Sequence, residues 1–195
     1  MLGQLRVRSQ IHLAAWLFAT CTVTLLQPSA VAAGSDSLEY AVKAAYLYKL
    51  GNFVDWPPSA FPSSTSAVNL CVAGADPFGA SLDVVTASQH IGARPIVVRH
   101  LASVTRESDC QILFVGGSDP QFIGRILDAV RGVSVLTVTD TPATGETPSI
   151  IRFVIHDDHV RMVVDGRAAS LNGIIVSAKL LSVALSVTPA VNGSR

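Results

Sequence analysis

Ala67-Val68-Asn69-Leu70-Cys71-Val72-Ala73-Gly74, followed at once by Ala75-Asp76-Pro77, is the stretch that sets the architecture of this chain. It is an almost unbroken apolar run of strand length, ended by glycine, and Asp76-Pro77 then opens a short helix reaching about Ala87. A strand apolar throughout is buried on both faces, as in parallel sheets covered by helices. The same pattern returns downstream. Ile96-Val97-Val98 marks a second strand continuing towards Leu101, and Cys110-Gln111-Ile112-Leu113-Phe114-Val115 a third, ended by Gly116-Gly117. Pro120 starts a helix to about Arg131, with Gly132 beyond it, and Val133 to Val138 is a fourth strand. This rhythm predicts an α/β domain with a mixed, mostly parallel sheet of about six strands flanked by helices.

The flanks complete that picture. Upstream, Asp36-Ser37-Leu38-Glu39 has the spacing of a capping box with Asp36 as N-cap. The helix after it runs from Leu38 to Phe53, with Leu38, Val42, Ala45, Tyr46, Leu50 and Phe53 on one apolar stripe and Lys43 and Lys49 off it. Trp56-Pro57-Pro58 stops it. Downstream, Ser149 to Ile155 and His159 to Val164 read as a hairpin turning around Asp157-Asp158. From Gly166 the chain is helical, broken near Asn172-Gly173, with Ser177 capping a last helix; Val187 to Arg195 reads as a loose tail.

The first 33 residues read as a cleaved export signal. Arg6 and Arg8 form a basic start, and Ile11 to Leu26 is an uncharged apolar run of 16 residues, short of the ~20 that span a bilayer. Pro28 breaks the run, and Ala30-Val31-Ala32 or Val31-Ala32-Ala33 supplies the cleavage site. Cys21 raises the alternative of a lipoprotein, but Phe18-Ala19-Thr20 before it fits an acylation signal badly. The expected division is signal 1–33, one domain 34–187 and a flexible tail 188–195, with the mature protein working outside the cytoplasm and no later membrane insertion.

Removing Arg6 and Arg8 leaves 12 basic residues of the original 14 against 14 acidic ones, a near-neutral balance that argues against nucleic acid as partner. Two cysteines remain, Cys71 and Cys110. They are either a disulfide or two buried thiols, and the oxidising compartment favours the bridge. A bridge closing a loop of ~40 residues would contribute about 4 kcal/mol in the chain-entropy model.

Candidate chemistry is sparse. Gly74-Ala75-Asp76-Pro77 and Gly116-Gly117-Ser118-Asp119-Pro120 read as plain strand-to-helix turns, which in an open α/β sheet could flank a ligand cleft. His156 and His159 flank the hairpin turn and read as exposed tip residues rather than a metal pair, while His90 and His100 have no nucleophile beside them. No serine lies in G-x-S-x-G. The expectation is a protein that is not an enzyme, with no catalytic residue, cofactor or metal. Trp56 and Phe61, on a proline-rich loop, are the candidate partner-binding aromatics.

The order of segments resembles the YfiR-like family of periplasmic proteins. The matching runs are Val42-Lys43-Ala44-Ala45-Tyr46-Leu47-Tyr48 through Phe53-Val54-Asp55-Trp56-Pro57, then Leu70 to Gly79, Cys110 to Val115, Leu136 to Asp140, and Ile151 through Met162 to Leu181. Two positions depart from the family pattern: Thr147-Pro148-Ser149-Ile150 stands where a Gly-Gly-Met-Ile-like run is common, and Asp165 where Asn is common. The resemblance implies a repressor that binds the periplasmic sensor domain of an inner-membrane diguanylate cyclase and holds its cytoplasmic GGDEF domain inactive, lowering cyclic di-GMP. It also implies an outer-membrane, peptidoglycan-binding lipoprotein that sequesters the repressor. It carries over a stabilising or redox-responsive Cys71–Cys110 bridge, and the second cysteine pair of some relatives is absent here. A homodimer is compatible with such a domain, though no residue specifies one. The alternative function is a periplasmic small-molecule sensor or carrier without cyclase control.

Overall fold

The computed structural model describes residues 30–142 and 147–190, with side chains from residue 36 onward. The expected export signal up to residue 29, Cys21 included, and the last five residues of the expected tail lie outside the described residues. The helices are α1 (Ala30–Leu50), α2 (Ala80–Thr86), α3 (Pro120–Ala129), α4 (Gly166–Leu171) and α5 (Ala178–Leu181). The strands are β1 (Val54–Asp55), β2 (Val68–Gly74), β3 (His90–Ile91), β4 (Arg94–Leu101), β5 (Ile112–Gly116), β6 (Leu136–Thr139), β7 (Ile151–His156), β8 (His159–Asp165), β9 (Ile175–Val176) and β10 (Ser186–Thr188). Among the described residues no helix is long and apolar enough to cross a membrane.

Among the described residues eight strands form one sheet in the order β10-β8-β7-β6-β5-β2-β4-β3, and β1 pairs with β9 apart from it. The centre is parallel from β4 through β2, β5 and β6 to β7, whereas β7–β8 and β3–β4 are antiparallel. The six strands expected from the sequence all form, and β2 is buried from Leu70 to Ala73 because both faces are covered. Alternation divides the run between two cores. Val68, Leu70 and Val72 join Phe114, Phe153 and Leu47 of α1 on one face. Cys71 and Ala73 join Leu113, Val115 and the α3 residues Ile123 and Leu127 on the other.

Local chemistry fixes the ends. The Asp119 side chain accepts from the Gln121 N–H, with Pro120 in the first turn of α3, and Asp165 accepts from the Arg167 and Ala168 N–H groups at α4. Asn would cap equally well, so the departure at Asp165 keeps the same local function. Asp157 and Asp158 have φ of 50° and 57°, the left-handed conformation a two-residue hairpin turn requires, and His156 pairs with His159 across it.

Several expectations change, and the helix expected to reach Phe53 ends as an α-helix at Leu50. α1 starts at Ala30, not at a cap on Asp36, because Ala30, Ala32 and Ala33 are strong helix formers that carry the turn upstream. α2 starts at Ala80, since Asp76 Oδ1 accepts from the Phe78 and Gly79 N–H groups and holds a turn there instead. Val187 and Thr188, expected in the tail, pair with Val164 and Asp165 as part of β10. A further change concerns the buried face of α1. Leu38 and Tyr46 are exposed, while Lys43, expected off the apolar stripe, is 4 % exposed.

The two turns expected to flank a cleft instead close on each other. The Ala75 N–H donates to the Gly116 oxygen at 3.1 Å. A Cβ on Gly74 would stand 2.3 Å from that same oxygen, and Gly74 has φ of 80°. Gly74→Ala therefore meets both a clash and a strained backbone, and is expected to lower stability by at least about 2 kcal/mol. Urea denaturation of the variant measures this; a midpoint equal to wild type would show that the turns separate at no cost.

Candidate functional site

Lys43 is buried because its charge is matched. Its Nζ donates to Asp140 Oδ2 at 3.0 Å and forms an i,i+4 ion pair with Glu39, one helical turn earlier. The Tyr40 hydroxyl donates to the same Asp140 oxygen at 3.1 Å, and Lys43 Nζ lies 4.4 Å from the centre of the Tyr40 ring. Asp140 follows the carboxyl end of β6, so the cluster fastens α1 to that end of the sheet. Tyr40 also meets Phe78 edge-on, and Phe78 meets Phe114, which links the cluster to the α1 side of the core.

Burial disfavours the Lys43 ammonium, but its hydrogen bonds to Glu39 and Asp140 and the Asp140 charge outweigh burial and raise its pKa above the ordinary 10.5. Burial, followed by the Asp140 charge, raises Tyr40 above its ordinary 10.0. Both groups hold their protons more tightly folded than unfolded. Their contribution is complete below the unfolded values and is lost as pH rises through the folded ones. Urea midpoints are therefore expected to fall as pH rises beyond about 10, and to fall less steeply in a Lys43→Met/Asp140→Leu variant. Equal slopes for the two proteins would remove the cluster from the explanation.

Cys71 and Cys110 form a disulfide, with Cα atoms 5.8 Å apart, on the α3 side of the sheet. Cys71 is fully buried and Cys110 is 8 % exposed. Asp109, just before Cys110, has φ of 51°. It is held there by Asn69 Nδ2, which donates to both its main-chain oxygen and its Oδ2, and by Gln111 Nε2, which donates to Oδ1.

Trp56 and Phe61 are both half-buried and packed against the core on the α1 side. Their rings meet edge-on at 6.1 Å, and the Arg94 guanidinium lies 3.7 Å above the Phe61 ring. The buried Trp56 Nε1 has no hydrogen-bond partner among the described residues. The exposed part of α1 tells more. Leu38, Val42 and Tyr46 share an i, i+4, i+8 stripe and, with Ile155 of β7, line a groove of about 530 Å³ between α1 and the β7–β8 hairpin. Leu38 is 67 % and Ile155 51 % exposed, so the groove presents apolar surface to solvent. Sequence periodicity found this stripe but assigned it to the core.

Among the described residues the histidines lie at separate places, His156 and His159 at the hairpin tip and His100 at the end of β4. His156 contacts Asp157 beside it, and His100 sits between Asp76 and Asp83. Among the described residues no three His, Cys, Asp or Glu side chains form a group that could hold a metal ion.

No curated protein matches this sequence significantly. The family described as YfiR/HmsC-like matches residues 40–185, a span running from the Tyr40–Lys43 cluster to the loop before β10 and including the disulfide. The chain belongs to the YfiR/HmsC-like family.

Proposed function

We propose that this chain is an exported periplasmic regulator that binds the sensor domain of an inner-membrane diguanylate cyclase and holds the cyclase inactive, lowering cyclic di-GMP. The observation that carries this reading is the family match, which takes in both cores of the domain rather than a local motif. In this reading residues 1–33 are the export signal, and the working domain runs from residue 34 through Thr188, the last residue of β10. A regulator of this kind performs no bond chemistry. It acts by binding one conformation of its target more tightly than the other, and about 5.5 kcal/mol of differential affinity swings a two-state target from 99:1 to 1:99.

The apolar groove beside α1 supports protein contact, since exposed apolar patches mark interaction sites. The outer parts of Trp56 and Phe61 are further contacts proposed for the partner. An outer-membrane, peptidoglycan-binding lipoprotein that competes for this domain would release the cyclase, and a homodimer would add a second contact surface. The Cys71–Cys110 bridge serves here as the fastener that keeps the domain in its binding shape.

Photo-crosslinking in the host tests the reading. A probe at Leu38 of the exported chain is expected to capture an inner-membrane protein whose cytoplasmic part carries a GGDEF domain, identified by mass spectrometry. Recovery of soluble periplasmic proteins alone would contradict it.

A further inference from the structure

Helix α2 has little of its own to hold it in place. It is seven residues long, and a helix that short is marginal in water without tertiary contacts. Only Leu82 and Thr86 of it are buried, while Val84 and Val85 face solvent. Together with the turn before it, α2 nevertheless forms one wall of a cleft of about 290 Å³ against α1, lined by Tyr40, Ala44, Pro77, Phe78 and Ser81.

His100 of β4 reaches both parts of that wall. Its Nδ1 lies 3.0 Å from Asp76 Oδ2 in the turn, and its Nε2 lies 3.2 Å from Asp83 Oδ2 in α2. The other oxygen of Asp76 shapes the turn itself, accepting from the Phe78 and Gly79 N–H groups. Among the described residues neither carboxylate meets any other cation. Strand β2, beside β4, offers only the apolar Val72 in register with His100.

These two contacts need two N–H donors on one ring. An ionised carboxylate only accepts, and a neutral imidazole carries a single N–H. Both hydrogen bonds therefore exist together only in the imidazolium. In the neutral ring one nitrogen turns a lone pair towards a carboxylate oxygen, and that contact becomes repulsive.

We propose that a proton on His100 latches α2 and its leading turn to the end of β4, so that the seating of α2 depends on pH. The latch is complete in acid. It is lost as pH rises and one ring nitrogen gives its proton to solvent. Histidine is the side chain whose charge ordinarily changes between about pH 5 and 8. The inference goes beyond the cyclase reading, since it concerns how the domain answers its surroundings whichever partner it binds.

The test is hydrogen exchange, read by NMR on the purified, disulfide-bonded mature chain at about pH 5.5 and about pH 8, either side of the histidine range. Each rate is divided by the intrinsic exchange rate at that pH. The amides from Val84 to Ala87 are expected to lose about threefold in protection at the higher pH, the size expected of partly exposed ion pairs. The Ile126 and Leu127 amides of α3 serve as the reference and should hold constant. In His100→Gln and in Asp83→Asn the protection of α2 should be the same at both pH values. Both side chains are about half exposed, so neither substitution opens the core. The ring nitrogen resonances of His100 should show two N–H groups in acid and one at the higher pH. Equal protection of α2 in the wild type at both pH values, or an equal fall in the wild type and in His100→Gln, would overturn the proposal. A fall shared by α3 would overturn it too, because the change would then be global.

Discussion

Asp140→Ala is expected to destabilise the domain by about 3 kcal/mol, because it takes from the buried Lys43 ammonium one of its two carboxylate partners and leaves only Glu39, the more exposed of the two. The side chains of Lys43 and Asp140 are 5 % and 9 % exposed, so water does not replace the lost contact. The Tyr40 hydroxyl loses the same acceptor. In thermal unfolding a loss of this size corresponds to a fall of about 10 °C for a domain of this length. A Lys43→Met/Asp140→Leu variant removes both charges together and is expected to stay within about 1.5 kcal/mol of wild type, since apolar replacement of a buried pair is often neutral. Calorimetry on the three proteins decides the matter. A single variant that loses under 1 kcal/mol, or a double variant that loses more than the single, would mean that α1 is held by its apolar contacts alone.

Removing the disulfide is the second large effect. The bridged cysteines are 39 residues apart, and a loop of that length constrains the unfolded chain by about 4 kcal/mol in the chain-entropy model. A Cys71→Ala/Cys110→Ala variant is expected to lose about that much in urea denaturation. Because one sulfur is fully buried and the other nearly so, a thiol reductant should reach the bridge only when the domain opens. Thiol labelling after mild dithiothreitol is therefore expected to be slow in buffer and fast in urea. Rapid labelling in buffer without loss of the fold would instead mark the bridge as a redox sensor.

The parts of this fold that were legible in the sequence are those in which each residue is decided by its neighbours. The runs around Leu70, Leu113 and Val135 are mostly apolar because the strands they enter are covered on both faces. The hairpin was legible because two aspartates between alternating strands can adopt positive φ. The burial of Lys43 was not legible, since its partner Asp140 lies 97 residues away and periodicity alone places a lysine in solvent. The same rotation of α1 that turns Lys43 inward turns Leu38 and Tyr46 outward, so one long-range ion pair exchanged a core stripe for a surface groove. β1, β9 and β3 are two residues each, and β10 is three, too short to register as a pattern. The family resemblance was legible through the order of its runs, and the match over residues 40–185 covers them almost completely.

Control of a diguanylate cyclase from the periplasm would be read in the cellular level of cyclic di-GMP. The nucleotide is quantified by mass spectrometry in the host, in a deletion strain, and in that strain complemented with the chain or with the chain lacking residues 1–33. Deletion is expected to raise cyclic di-GMP, the full chain to restore the original level, and the form lacking the export signal to leave it raised. An unchanged level on deletion, or restoration by the form retained in the cytoplasm, would contradict it.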